Sequence, residues 1–191
     1  MESISSTFSE ENYQMVCNKQ NMPLKLDKVN NNYLLDLEIK NNNYDLNKLM
    51  DFQIYNLIQK VNPDIIENIE IVSQPSPDEI EVLFIFKRFG KSAGIPQKYL
   101  FLKTTRQKSN NFILFSSTDS INIPSNMSNH IAQRMTCKFF QLTVLPFPEK
   151  IRLNFIFNID VKEDLPIYME NMIGLMMKKI FYNLKLVLEK E

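Results

Sequence analysis

Between Ile65 and Asp160 the hydrophobic residues recur at every second position through six stretches: Ile65 to Ser73, Glu79 to Lys87, Lys98 to Arg106, Asn111 to Thr118, Met135 to Leu145 and Lys150 to Asp160. A period of two is the period of a β-strand, because successive side chains leave opposite faces of the pleat. The breaks carry turn chemistry: Pro75 and Pro77, Gly90 to Pro96, Lys108 to Asn110, and Pro146 with Pro148. Six consecutive strands joined in this way predict an antiparallel meander. A sheet so wide cannot stay flat, since strand twist curls it into a grip with a concave apolar face. Ile151, Leu153, Phe155, Phe157 and Ile159 present large apolar side chains on one side of the last strand, and Ile80, Val82, Phe84 and Phe86 do so earlier. Such a face demands a cover, and a helix is the expected one.

The end of the chain supplies it. Leu165 to Lys190 reads as one helix with an apolar stripe of Met169, Met172, Ile173, Met176, Ile180, Leu184 and Val187. Asn171, Gly174, Lys178, Lys185 and Glu189 mark its opposite face, Asp164 is placed to cap its start, and Pro166 is tolerated in the first turn. Upstream of the meander, Asn32 to Ile39 alternates as a strand, and the residues from Asp45 to Val61 follow helical spacing until Pro63 stops them. A short helix is expected over Tyr13 to Asn18, closed by Pro23, after a disordered lead-in over residues 1–12, which leaves 13–191 as the folded domain. The long connection Asp119 to Gln133 carries Ile121, Ile123, Pro124 and Met127 among polar residues; connections of that length are usually functional or disordered.

A length of 191 residues corresponds to about one domain. Twenty-two basic against 22 acidic residues leave no net charge, which argues against nucleic acid as a partner. Cys17 and Cys137 have no metal or redox spacing, and His130, the sole histidine, excludes a multi-histidine metal site. Three glycines without a Gly-rich turn between strand and helix cannot form a phosphate cradle. Asp160, Glu163 and Asp164 read more simply as a turn and helix cap than as an acid/base pair. No enzyme activity, metal or cofactor is therefore expected. The first residues lack the basic and apolar regions of a signal peptide, so the expected compartment is cytoplasmic. Apolar runs such as Val82 to Phe86 are too short to span a bilayer, and Glu2 excludes myristoylation, so any membrane contact is expected to be peripheral. The 14 Phe and 10 Met residues fit an adaptable apolar interior and equally fit a compositional bias shared with the runs Asn30 to Asn32 and Asn41 to Asn43.

The segment Ile151 to Gly174, IRLNFIFNIDVKEDLPIYMENMIG, resembles the last strand, turn and helix start of the START (StAR-related lipid-transfer) family, with Asp160, Leu165, Pro166, Tyr168 and Asn171 at its motif positions. Gly94 to Arg106, GIPQKYLFLKTTR, is similar to a family strand that carries an arginine where Lys103 stands here, and Arg134 matches the arginine that closes the segment after the long loop. Two features depart from the family pattern: the N-terminal tryptophan is missing, and Val161 to Glu163 replace the usual glycine of the Asp160 turn. The resemblance implies an α+β helix-grip fold, a curved antiparallel sheet wrapped around a long C-terminal helix with an apolar cavity between. It implies a monomer that binds one lipid, of the sterol or phospholipid class, and touches membranes transiently to transfer it. The cavity residues it implies are Phe84, Phe86, Tyr99, Phe101, Lys103, Phe155, Phe157, Met169, Met172, Ile173, Met176 and Ile180. Tyr99, Phe101 and Lys103 share one strand face, and the family's inward arginine makes Lys103 the polar anchor; a register shift of one residue would put it on the solvent face instead. Ile121, Ile123, Pro124 and Met127 would form the gate and membrane contact with the first half of the C-terminal helix, aided by Lys178, Lys179, Lys87, Arg88 and Lys91. The competing reading is a helix-grip interaction or lipid-sensing module with no transfer activity.

Overall fold

A computed structural model of the chain describes residues 12–40, 51–89, 94–121, 132–162, 164–165, 169 and 171–190. Among these, nine strands lie side by side in the order β1 (Tyr13–Cys17), β2 (Leu24–Asp27), β3 (Asn32–Lys40), β10 (Lys150–Asp160), β9 (Thr136–Phe147), β7 (Ile113–Asp119), β6 (Lys98–Lys108), β5 (Glu79–Phe86) and β4 (Ile66–Ser76). Every neighbouring pair on this path is antiparallel. The two-residue β8 (Gln133–Arg134) lies off the path and runs parallel to the start of β6. Two helices complete the described elements, α1 (Ile54–Val61) and α2 (Met172–Leu188). The chain builds one edge with β1 to β3, crosses to the other edge by way of α1, and meanders back until β10 docks beside β3. The six-strand meander expected from the periodicity is present as β4, β5, β6, β7, β9 and β10.

The clearest alternation belongs to β3 and β10. Tyr33, Leu35, Leu37 and Ile39 face inward opposite Phe157, Phe155, Leu153 and Ile151, and all eight are buried. The outward residues between them form cross-strand ion pairs, Arg152 with Asp36 and Lys150 with Glu38, which keep that face solvated. At the other edge, β4 carries Pro75 and three register irregularities, features that blunt an exposed strand against pairing with another chain. β5 and β6 are buried on both faces. Leu83, Ile85, Tyr99, Phe101 and Ala132 form a second apolar cluster on the side away from the helices.

α2 covers the concave face, and its fit depends on two residues the sequence pattern assigned to solvent. Gly174 sits against the Tyr33 ring, where a Cβ would come within 2.5 Å of Cε1, so only glycine lets helix and strand approach this closely. Tyr33 is held there by stacking on Phe157 at 5.3 Å and by donating a 3.1 Å hydrogen bond to Asn171 Oδ1. Lys178 is buried and donates from Nζ to the carbonyl of Lys19 at 2.7 Å and to that of Met22. α1 is pinned to α2 by Asn62, whose amide donates to the carbonyls of Ile58 and Ile180 and accepts a hydrogen bond from Asn183.

Two expectations require correction, the N-terminal helix and the start and cap of the C-terminal one. Tyr13 to Cys17 forms a strand, because pairing with β2, itself not anticipated, outweighs a weak local helical pattern. α2 begins at Met172 rather than Leu165, and its N-cap is Asn171 rather than Asp164. Of the helix expected from Asp45, the described part is Ile54–Val61, ending before Pro63 as expected, while residues 41–50 lie outside the described residues. The turn after β10 forms without the family's glycine: Asp160 accepts a 2.8 Å hydrogen bond from the Lys162 amide, which supports Lys162 at φ 57°. The lead-in expected at residues 1–12 lies outside the described residues except for Asn12.

Candidate functional site

The space between sheet and helices is apolar, bounded by α1 at Tyr55 and Ile58, by β5 and β6 at Phe84, Phe86, Leu100 and Leu102, and by α2 at Met177, Ile180 and Phe181. Aromatic rings fill most of it. Tyr55 meets Phe84 edge-on at 5.4 Å, Phe84 stacks with Phe86 at 6.4 Å, and Phe155 contacts Phe157, Phe140 and Phe181 at 4.5 to 4.9 Å. The remaining cavity is about 30 Å³, far smaller than the several hundred cubic ångströms of an ordinary ligand pocket.

Of the expected cavity residues, Phe84, Phe86 and Ile180 line this space, while Phe155, Phe157 and Ile173 are buried in the core behind it. Met172 and Met176 are half-buried on the outer side of α2, and Met169 is half-buried ahead of the helix; the methionine that points inward is Met177. Tyr99 and Phe101 are buried, but in the cluster on the opposite face of the sheet. Lys103 shares their face, remains 47% exposed at its side chain, and pairs with Glu79 at 3.0 Å. It is not a cavity anchor. The inward positions of β6 are Leu100, Leu102 and Thr104, one residue out of phase with the expectation. The cause is visible in the sequence: Tyr99 to Leu102 is a continuous apolar run, and such a run leaves the phase of a strand undetermined. Lys103→Met should therefore shift stability by less than about 1 kcal/mol, the worth of an exposed ion pair. The urea midpoint should barely move.

Sequence reasoning missed Tyr55, Ile58, Ile66, Leu100, Leu102, Phe140, Met177 and Phe181 as lining residues. Phe181 falls one helical turn beyond Met177, and both belong to a stripe one residue out of phase with the expected one. Burial pushes the Tyr55 phenol up to about 12, partly offset by its hydrogen bond with Thr104, so the group stays a neutral hydroxyl. The Cys137 thiol, buried and beside Asp119, is likewise raised to about 12, and both cysteines are free.

An outer groove of about 320 Å³ runs along the first half of α2. Its floor is Ile65, Phe89, Met172, Leu175 and Met176, and its rim carries Lys87, Arg88 and Lys179 with Asp64. Lys178, expected among these cations, is instead turned to the β1–β2 connection. Ile121, just past the end of β7, is 89% exposed. Ile123, Pro124, Met127 and Lys91 lie outside the described residues. Among the described residues no helix is long and apolar enough to cross a membrane.

Comparison of the sequence with protein-family models and with curated proteins gives no match. Solved structures do match. Human StAR-related lipid transfer protein 5 superposes with a TM-score of 0.75 at 11% identity, over 96% of this chain and 89% of that one. The human StarD13 (DLC2) lipid transfer and protein localization domain gives 0.74 at 11% identity, over 92% and 88%. A STAR-related lipid transfer protein from Xanthomonas axonopodis gives 0.72 at 11% identity, over 93% and 98%. Curved sheet, crossover helix and covering C-terminal helix together make this the helix-grip fold of the START-related lipid-transfer domains.

Proposed function

We propose that the protein binds one lipid between the sheet and α2 and carries it between membranes without altering it, acting as a cytoplasmic monomer. The observation that supports this most directly is the apolar space lined by Phe84, Phe86, Leu100, Met177 and Phe181 beneath a covering helix. A lipid needs several hundred cubic ångströms, so the closed state must open by repacking. The polar ties of α2 to the body lie at Lys178, Ile180, Asn183 and Lys185, and N-terminal to them Tyr33 donates to Asn171. The first turns of α2 are thus the element least expensive to displace, and the adaptable Met177 side chain moves with them.

The groove beside those turns, apolar below and cationic at the rim, fits the surface of an anionic bilayer, and Ile121 adds an apolar side chain for insertion. Ile121→Ser combined with Leu175→Ser should slow transfer between donor and acceptor liposomes several-fold. Equilibrium binding of the same lipid in detergent should be retained. Unchanged transfer would place the membrane contact elsewhere.

The cavity of about 30 Å³ favours a second reading, an interaction module whose core is permanently filled. Extraction and mass spectrometry of protein purified from cells separates the two. A stoichiometric lipid, or accelerated liposome transfer of any sterol, phospholipid or sphingolipid, supports the carrier; neither one overturns it.

A further inference from the structure

The inward row of β6 changes character at one end. Beyond Leu102, which lines the cavity, the next inward residue is Thr104, paired across the ladder with Ser117 of β7. Their side-chain oxygens lie 2.8 Å apart in a buried hydrogen bond. Tyr55, also a lining residue, reaches Thr104 from α1 with its phenol. Three hydroxyls carry three donor protons and six acceptor lone pairs, and the Thr104–Ser117 bond uses one of the protons. Donor and acceptor capacity therefore remains in the trio to receive a further hydroxyl.

No described residue lining the cavity is charged. The nearest cation along the same strand face, Arg106, is occupied: it donates to Asp78 Oδ1 at 2.9 and 2.8 Å, to Asp51 Oδ1 at 3.3 Å and to the Pro77 carbonyl at 2.9 Å, and it lies over the Phe52 ring. A phosphate brought to this end of the interior would lose its hydration and find no free cation to replace it, whereas an alcohol would exchange one hydroxyl partner for another.

We propose that Tyr55, Thr104 and Ser117 form the head-group site for a neutral lipid alcohol, the chemical class of sterols and diacylglycerols, and that phospholipids are excluded. This rests on the reading that a lipid occupies the interior. The test titrates the delipidated full chain against vesicles containing cholesterol, dioleoylglycerol, phosphatidylcholine, or cholestane, which has the sterol skeleton without its hydroxyl. Cholesterol or dioleoylglycerol should bind at least about ten-fold more tightly than phosphatidylcholine or cholestane, the ratio set by one buried hydrogen bond. The double variant Thr104→Val, Ser117→Ala removes both partners of a buried pair together and so should remain folded, with Tyr55→Phe as the second probe. Each should lose about ten-fold in affinity for the bound alcohol, with cholestane affinity unchanged. Equal affinity for phosphatidylcholine, or an equal loss for alcohol and cholestane, overturns the head-group site. Binding of no lipid by the native chain overturns the carrier reading itself.

Discussion

Phe155→Ala should remove about 3–5 kcal/mol of stability, a large part of the 5–15 kcal/mol typical of a domain. The ring is fully buried and meets Phe157 at 4.5 Å, Phe140 at 4.7 Å and Phe181 at 4.9 Å, so it joins β9, β10 and α2 at one point. Deleting it forfeits the transfer energy of the side chain and leaves a void that two sheet strands and a helix cannot collapse to fill. In urea the midpoint should fall with little change in slope, the sign of lost stability rather than a changed unfolded state. Phe147 provides the internal contrast. It is 47% exposed, with the Lys150 ammonium 5.6 Å from its ring centroid, and Phe147→Ala should cost under about 1 kcal/mol. Equal losses at the two positions would show that the interior is not packed as described. The new void would also adjoin the cavity through Phe140 and Phe181, so a bound lipid should restore part of the lost stability.

The elements most legible in the sequence are those with one wet face. β3 and β10 alternate cleanly because their outer sides carry Asp36, Glu38, Lys150 and Arg152, which leaves only one phase for the buried side. β5 and β6 are buried on both sides, so their apolar runs announce burial without saying which residue faces the helix, and only the resemblance to the family's inward arginine points Lys103 inward. α2 poses the same problem in helical form. Met172, Ile173, Leu175, Met176 and Met177 are all apolar, and two overlapping stripes one residue apart fit the sequence equally well. The stripe that wins is selected by features outside the helix: the Tyr33 ring that requires Gly174, and the carbonyls that receive Lys178. Neither is visible from hydrophobic spacing. The hydroxyl trio was missed for a related reason, since Thr104 and Ser117 become partners only through the β6–β7 register and Tyr55 arrives from a different element.

Lys178→Met should loosen the β1–β2 hairpin far more than it destabilises the whole protein. The ammonium spans the turn from Lys19 to Met22, accepted by the carbonyls at both of its ends. Within that turn Gln20 and Asn21 stand at φ 64° and 51°, a left-handed pair that costs about 1–2 kcal/mol per residue for side chains with a Cβ. Burial holds the Lys178 pKa below its ordinary value, partly offset by the neighbouring Cys17, so desolvation already opposes the charge. Methionine relieves that cost and keeps the volume, which limits the global loss. It removes one donor from each of two carbonyls; that of Lys19 keeps the Met22 amide at 3.3 Å, while that of buried Met22 cannot turn to water. One unsatisfied buried carbonyl is worth about 1–3 kcal/mol, or roughly five- to 150-fold in local opening. Amide exchange in Tyr13–Cys17 should accelerate by that factor while the protection of β10 changes little. Adding Gln20→Asn and Asn21→Gly, residues suited to two successive left-handed positions, should restore much of the protection without any donor at position 178. Unchanged exchange in β1 would mean that strand pairing alone holds the hairpin. Accelerated exchange that the turn substitutions leave uncorrected would trace the effect to the Met22 carbonyl rather than to backbone strain.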